Sequence, residues 1–235
     1  MPRRPTWRRR WLIAATWPVG VALTSWDYMW RTTPLHRSER IIAEDAVEVP
    51  PFPAGISAEE VQGERDGHGA LFHRRYRTVI RDADTRCEEL MAAVNRNLNR
   101  PAPTTFARFE KVLGDERRLA AGDEFVVRMP GPWDGPVRVV AVGPRSFRLA
   151  TLRGHLEAGQ IEFRVDETPE GAVSFEIESW ARSSSRLVNV LYHHLRMAKE
   201  VQAHMWISFL EGVVSLSGGR MEGGVRMSTE RVPER

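Results

Sequence analysis

Residues 151–159 read T-L-R-G-H-L-E-A-G and set His155 and Glu157 between two glycines. An imidazole that titrates near neutral pH, two residues from a carboxylate able to hold its tautomer, is a minimal acid–base pair. The same residues suit the loop of a β-hairpin. Gly154 and Gly159 can supply the positive φ that such a loop needs, and His155 and Glu157 would then hydrogen-bond the loop or a neighbouring turn. Two readings stand side by side. One is a structural hairpin. The other is a loop at the mouth of a cavity, with His155 as polar anchor or general base and Glu157 as its partner.

The remaining reactive side chains are dispersed. His193 and His194 are adjacent on a predicted helix, so they point about 100° apart. His193 and His204 are three turns apart, too far to share an ion. With one cysteine and no H-x-x-x-H, no metal site is expected, and no cofactor motif is present. Cys87 lies on the apolar side of a predicted helix and reads as a small buried residue. Glu162 falls on the polar face of its strand, and His68 sits in the glycine-rich stretch G-E-R-D-G-H-G.

Periodicity supplies the elements that must position these groups. Y-R-T-V-I-R (76–81) alternates as a strand, and Asp82 or Asp84 can cap a helix running to about Leu98. That helix puts Cys87, Leu90, Met91, Val94 and Leu98 on one face, and N-R-P-A-P ends it. Short strands are predicted at 106–112, 124–129, 137–142, 146–152, 160–165 and 173–179. Loops this short between them require antiparallel pairing. Ile161, Phe163 and Val165 share one face of their strand, as do Val173, Phe175 and Ile177. A helix over about 185–214 closes the order, with Leu187, Leu191, Leu195, Ala198, Val201, Met205, Phe209 and Val213 as one apolar stripe. Its stripe needs a large surface, and the sheet is the candidate.

The net charge of +3 is an N-terminal feature. Residues 1–40 hold eight arginines and two acids, whereas the rest hold 26 basic and 29 acidic side chains. No excess of positive charge remains to pair with nucleic acid. Arg3, Arg4, Arg8, Arg9 and Arg10 precede a mostly apolar run from Trp11 to Trp30, long enough to span ~30 Å of hydrocarbon. Tryptophans lie at both ends. The expectation is a single-pass signal anchor with a cytoplasmic N-terminus, the alternative being an export signal. Four parts follow: basic flank and membrane anchor (1–30), an extended tether rich in proline (31–71), a folded domain (72–216), and a glycine-rich, charged, disordered tail (217–235).

P-W-D-G-P-V-R-V-V-A-V (132–142), the T-L-x-G-H-x-E-x-G of 151–159, and Gln202 resemble the domain-of-unknown-function family nineteen-ninety over roughly residues 72–216. Members commonly carry an acid directly after the second glycine. Here that position is Gln160, which counts against a two-carboxylate mechanism. The resemblance implies an α+β START-like, helix-grip fold: a curved antiparallel sheet wrapped round the long C-terminal helix. It implies no activity. The expected function is a membrane-tethered module binding an apolar small molecule or lipid between sheet and helix, lined by Phe163, Phe175, Leu195, Met205 and Phe209 and anchored by His155 or Glu157. The alternatives are an enzyme with His155 as base and a protein-interaction domain with a filled core. Oligomeric state is not legible.

Overall fold

Nine strands form one sheet among the described residues, which in this computed structural model are 33–57, 59–102, 107–115, 117–128, 134–185 and 196–234. In chain order they are β1 (Leu35–Ile41), β2 (His68–Arg81), β3 (Arg108–Leu113), β4 (Glu124–Arg128), β5 (Asp134–Val142), β6 (Ser146–Thr151), β7 (Glu157–Glu167), β8 (Val173–Ser183) and β9 (Arg220–Val232). Helix α1 (Cys87–Arg96) follows β2, and α2 (Arg196–Ser217) precedes β9. The spatial order is β1-β9-β2-β8-β7-β6-β5-β4-β3. Every pairing is antiparallel except β1 with β9, so the sheet is mixed rather than wholly antiparallel. Register shifts in β2, β3, β5 and β9 mark bulges, which bend a sheet toward one side.

On the helix-facing side, Phe147 and Phe163 stack at 4.5 Å, and Phe163 meets Trp206 at 5.5 Å and Phe209 at 5.3 Å. Helix α2 is buried on more than its predicted stripe: Met205, Trp206, Ile207, Phe209, Leu210 and Val213 are all in the core. The reason is a second cover. The chain after α1 crosses α2 so closely that a Cβ on Gly212 would lie 2.2 Å from the Pro101 carbonyl oxygen. Leu90, Met91, Val94 and Leu98 join this layer, as their spacing predicts.

Three expectations need correction. First, Asp82 and Asp84 do not cap α1. Arg86 is its N-cap, and its amide donates to the Glu89 carboxylate at 3.3 Å. Asp82 instead accepts from Arg220, and the Asp84 amide donates to the Ser217 carbonyl, tying the end of β2 to the turn after α2.

Second, 31–71 is not a free tether. Thr33 donates to the Glu211 carboxylate at 2.6 Å, β1 pairs with β9, and Phe52 and Ile56 pack on Val61, Val140, Ala150 and Leu152. Strands β5 and β6 carry apolar residues on the outer face, and those need cover. The Pro50 and Pro51 carbonyls accept from Gln160 and Arg148 there.

Third, 217–235 is not a disordered tail. Its residues 220–232 are β9, between β1 and β2. Val225 is fully buried, and Met221 and Met227 pack on the core. Composition misleads because both acids of the strand are paired, Glu222 with Arg81 and Glu230 with His73. The adjacent glycines Gly223 and Gly224, at φ +67° and +82°, form the bulge opposite Thr78 and Val79.

The run 11–30 and Leu187, Leu191, His193, His194 and Leu195 lie outside the described residues. Among the described residues, no helix is long and apolar enough to cross a membrane.

A chain ending at Gly219 would expose one whole side of β2 and leave β1 unpaired. Such a truncation is expected to be insoluble or to lose its cooperative melt, whereas ending at Val232 should leave the melting temperature within a few degrees of the full chain.

Candidate ligand anchor on the concave face

Cross-strand partners share a face of the sheet, so register shows what faces α2. One row across β2, β8, β7 and β6 is Tyr76, Ile177, Phe163 and Phe147, large and apolar throughout. The next row toward the start of β2 is Arg74, Ser179 and Ile161, and the one after is Phe72, Ala181 and Gly159. Ser183 and Glu157 end the series. The aromatic half lies under the C-terminal part of α2. The half with small and polar residues lies toward its start.

That second half holds a buried charged group. Arg74, only 5% exposed, donates from Nη1 to Glu157 Oε1 at 3.2 Å, and its guanidinium lies 4.6 Å from the centre of the Phe72 ring. Gln202, on α2, donates to Glu157 Oε2 at 3.0 Å. The carboxylate therefore joins β2, β7 and α2. Among the described residues, Ser179 Oγ is buried on the same face without a protein partner. Arg231 Nε, on the residue that β9 sets opposite Phe72, is likewise buried without a partner among the described residues.

The motif supplies the framework that holds Glu157. Gln62 lies against both strands that flank the hairpin. Its amide donates to the Thr151 carbonyl, and its carbonyl accepts from the Thr151 hydroxyl and the Gly159 amide. Gln62 Nε2 also donates to the Glu157 carbonyl at 3.2 Å. Gly159 is required by contact: a Cβ there would lie 2.0 Å from the Trp180 carbonyl oxygen. Gly154 is required by its φ of +103°, a region L-residues avoid.

His155 serves the loop. Its Nδ1 accepts from the Glu157 amide at 2.9 Å, so the ring closes the turn from within. Its Nε2 side packs on the backbone at Gly135, where a Cβ would lie 3.0 Å away. Burial pushes its pKa below the ordinary imidazole value, against the opposing pull of the Glu157 charge. A neutral ring accepting at Nδ1 fits both facts.

The other expected site residues divide in the same way. Phe163, Phe175 and Phe209 are fully enclosed in the aromatic cluster, with Phe175 6.4 Å from Phe209. Met205 is buried beside it, and Leu195 lies outside the described residues. Gln160, at the position where the resemblance has an acid, faces the opposite side of the sheet from Glu157 and bonds Pro50 and Arg148. An acid at this position would therefore not pair with Glu157.

The sequence profile of the domain-of-unknown-function family DUF1990 matches residues 59–209, well over half of the chain. The chain belongs to this family. The DUF1990 match starts early enough to include Gln62 and excludes β1 and β9. Among curated proteins, none matches in sequence. In structure the chain is similar to norcoclaurine synthase from Thalictrum flavum, solved with dopamine and hydroxybenzaldehyde, at 10% identity and a TM-score of 0.44, covering 73% of this chain and 96% of that one. It is similar to the major latex-like protein 151 of Panax ginseng at 17% identity and a TM-score of 0.36, covering 57% and 98%. A hypothetical protein of Helicobacter pylori gives 11% identity and a TM-score of 0.43, covering 61% and 86%.

Sequence reasoning missed Arg74, Ser179 and Arg231 as site residues. A signal for Arg74 existed: it continues the apolar phase Tyr76, Thr78, Ile80 backward by one step. The predicted strand began at Tyr76, one step too late.

A second polar cluster occupies the outer face. His73 sets Nε2 2.7 Å from Glu178 and Nδ1 2.9 Å from Glu230, and its ring stacks on Trp180. Burial alone would raise the Glu178 pKa, but hydrogen bonds from His73 and Arg75 bring it down to about 2.

These two groups separate in an acid titration. The folded state holds His155 neutral, so its contribution is present above the unfolded imidazole pKa near 6.5 and is lost as pH falls below that. The Glu178 contribution is present above 4.5 and lost as pH falls toward 2. An Asn side chain can accept from the amide two residues on, as His155 does, without titrating. His155→Asn is expected to remove the stability loss just below pH 6.5 and to leave the loss below pH 4.5 intact, read by urea unfolding at each pH.

Proposed function

We propose that this domain binds a small molecule between sheet and C-terminal helix, with the ligand's polar end at Arg74, Glu157 and Gln202 and its apolar body along the concave face. One observation supports this above the others. Among the described residues, a nearly fully buried arginine has a single carboxylate partner at 3.2 Å, next to a buried serine hydroxyl with none. Burying a guanidinium costs several kcal/mol, and one contact to Glu157 returns part of that. Ser179, Ala181, Ser183 and Gly159 present little side-chain bulk on this half of the face. A site for a ligand group accounts for both features.

Glu157 takes the anchoring role considered for either residue of the motif, and His155 supports it from the loop. An acid–base role for His155 has less in its favour, because Nδ1 is engaged by the Glu157 amide. A protein-interaction role rests on the filled aromatic half, which leaves the polar half unexplained.

Native mass spectrometry of the protein purified from cells provides the test. A bound small molecule is expected in wild type and absent from the double variant Arg74→Met/Glu157→Gln, which removes both charges together and so leaves neither buried alone. A wild type with no adduct, and with no thermal shift on a panel of apolar metabolites and lipids, would refute the pocket.

We further propose that residues 11–30 hold the domain at a membrane with the N-terminus in the cytoplasm. The support is sequence alone: five arginines, an apolar run, and tryptophans at its ends. Thr33 is already docked on α2, so the domain would sit against the bilayer rather than swing from a long leash. Full-length protein is expected to stay in the membrane pellet through carbonate extraction, and a chain starting at residue 31 is expected in the supernatant. Release of the full chain by carbonate would sink the anchor.

A further inference from the structure

Strand β1 closes one end of the sheet, and among the described residues no strand lies beyond it. The outer edge of such a strand carries backbone N–H and C=O groups that can extend the sheet into another chain. Two hydrogen bonds fix which residues form that edge. The Val225 amide donates to the Pro34 carbonyl at 2.9 Å, and the Ile42 amide to the Arg231 carbonyl at 3.0 Å. The parallel register between these bonds turns the even-numbered backbone groups of β1 toward β9 and those of Leu35, Arg37, Glu39 and Ile41 away from it. Residues 36–41 are exposed, and Ile41, at 71%, is the most exposed large apolar side chain among the described residues.

A second copy related by a two-fold axis would pair with β1 antiparallel, the same patch facing itself. Outward groups must meet outward groups, so the axis passes through a residue rather than between two. An axis at Arg37 sets that arginine against its own copy, and an axis at Glu39 does the same with the carboxylate. Like charges directly opposite are destabilising. An axis farther along uses only part of the edge. An axis at Ser38 sets Arg37 opposite Glu39, Glu39 opposite Arg37, and Leu35 opposite Ile41 at both ends. On the other face Ser38 meets Ser38, and His36, which bonds the Gly223 carbonyl through Nε2, meets Arg40. A guanidinium has five donors, so Arg37 can add the second copy's Glu39 to the contacts it makes in its own chain. Charges on an edge strand ordinarily block pairing with another sheet. In this one register they favour it. We propose that β1 is a dimerisation strand, joining two copies of this chain edge to edge in a continuous sheet with the two-fold axis at Ser38.

Engineered cysteines test the register directly, in the full chain kept soluble in amphipol. Directly opposed residues that exchange no backbone hydrogen bond have Cα atoms ~4.5 Å apart, within the range a disulfide spans. Ser38→Cys is therefore expected to give mostly covalent dimer on mild oxidation. Arg40→Cys, also exposed and on the same face, would lie about 13 Å from its own copy along the strands and is expected to stay monomeric. Cys87 is buried, so the parent chain is the unreactive control. Glu39→Arg, added to Ser38→Cys, should cut cross-linking by about fivefold or more, and Arg37→Glu/Glu39→Arg in the same background should restore it to within about twofold. A Ser38→Cys chain that does not cross-link, or an Arg40→Cys chain that cross-links equally well, would overturn the proposal. So would cross-linking that Glu39→Arg leaves intact, or a loss that the exchanged pair does not restore.

Discussion

A sheet satisfies its backbone hydrogen bonds internally, but both of its faces still have to be removed from water where they are apolar. This requirement organises the molecule. One helix cannot cover nine strands. Helix α2 takes the concave face around Phe163 and Phe175, and α1 with the Pro101 crossing closes over the back of α2. The outer face of β5 and β6 exposes Val140, Ala150 and Leu152, and the strap through Phe52, Ile56 and Val61 covers them. Strand β9 covers an edge rather than a face. It fills the side of β2 that would otherwise present a row of unpaired backbone groups, and β1 continues the sheet beyond it.

Against that background the Arg74–Glu157 pair is a costly choice. An apolar pair of similar size would serve stability as well or better, since desolvating two charges offsets much of their attraction. The hairpin motif nevertheless holds Glu157 in place by several independent contacts: Gln62 at its carbonyl, His155 at its amide, and Arg74 and Gln202 at its carboxylate. Position is thus controlled from β2, from the strap, from the loop and from α2. Control of this kind is characteristic of sites that must present a group in a fixed geometry.

His155 shows how a residue able to do chemistry can be committed to architecture. Its distance from Glu157 in sequence is the same under either role. The difference is which atom of Glu157 it meets. It meets the backbone amide, so the ring completes a turn, and the carboxylate is left to others. The outer-face cluster of His73, Glu178 and Glu230 has a comparable role at larger scale, linking β8, β2 and β9 across the surface of the sheet.

What the sequence by itself determined is set by local physics. Alternation placed Phe163, Val165, Phe175 and Ile177 on one buried face, and three-to-four spacing placed Met205, Phe209 and Val213 on the buried side of a helix. Gly154 marked the hairpin loop, whereas Gly159, expected in that loop, lies inside β7 opposite Ala181. The T-L-x-G-H-x-E-x-G motif identified the family. Long-range pairing was decided only in the tertiary structure. The segment 220–232 is glycine-rich and charged, and it reads as a strand only once Arg81 and His73 are there to meet Glu222 and Glu230 and a bulge absorbs its glycines. The proline-rich strap has no periodicity of its own, because it takes its shape from the surface it covers. The proposed anchor is of the same kind. Arg74, Glu157, Ser179 and Gln202 are spread over nearly 130 positions, and no local pattern links them. They meet because register in a sheet fixes which side chains share a face, and that register is set by all of the strands together.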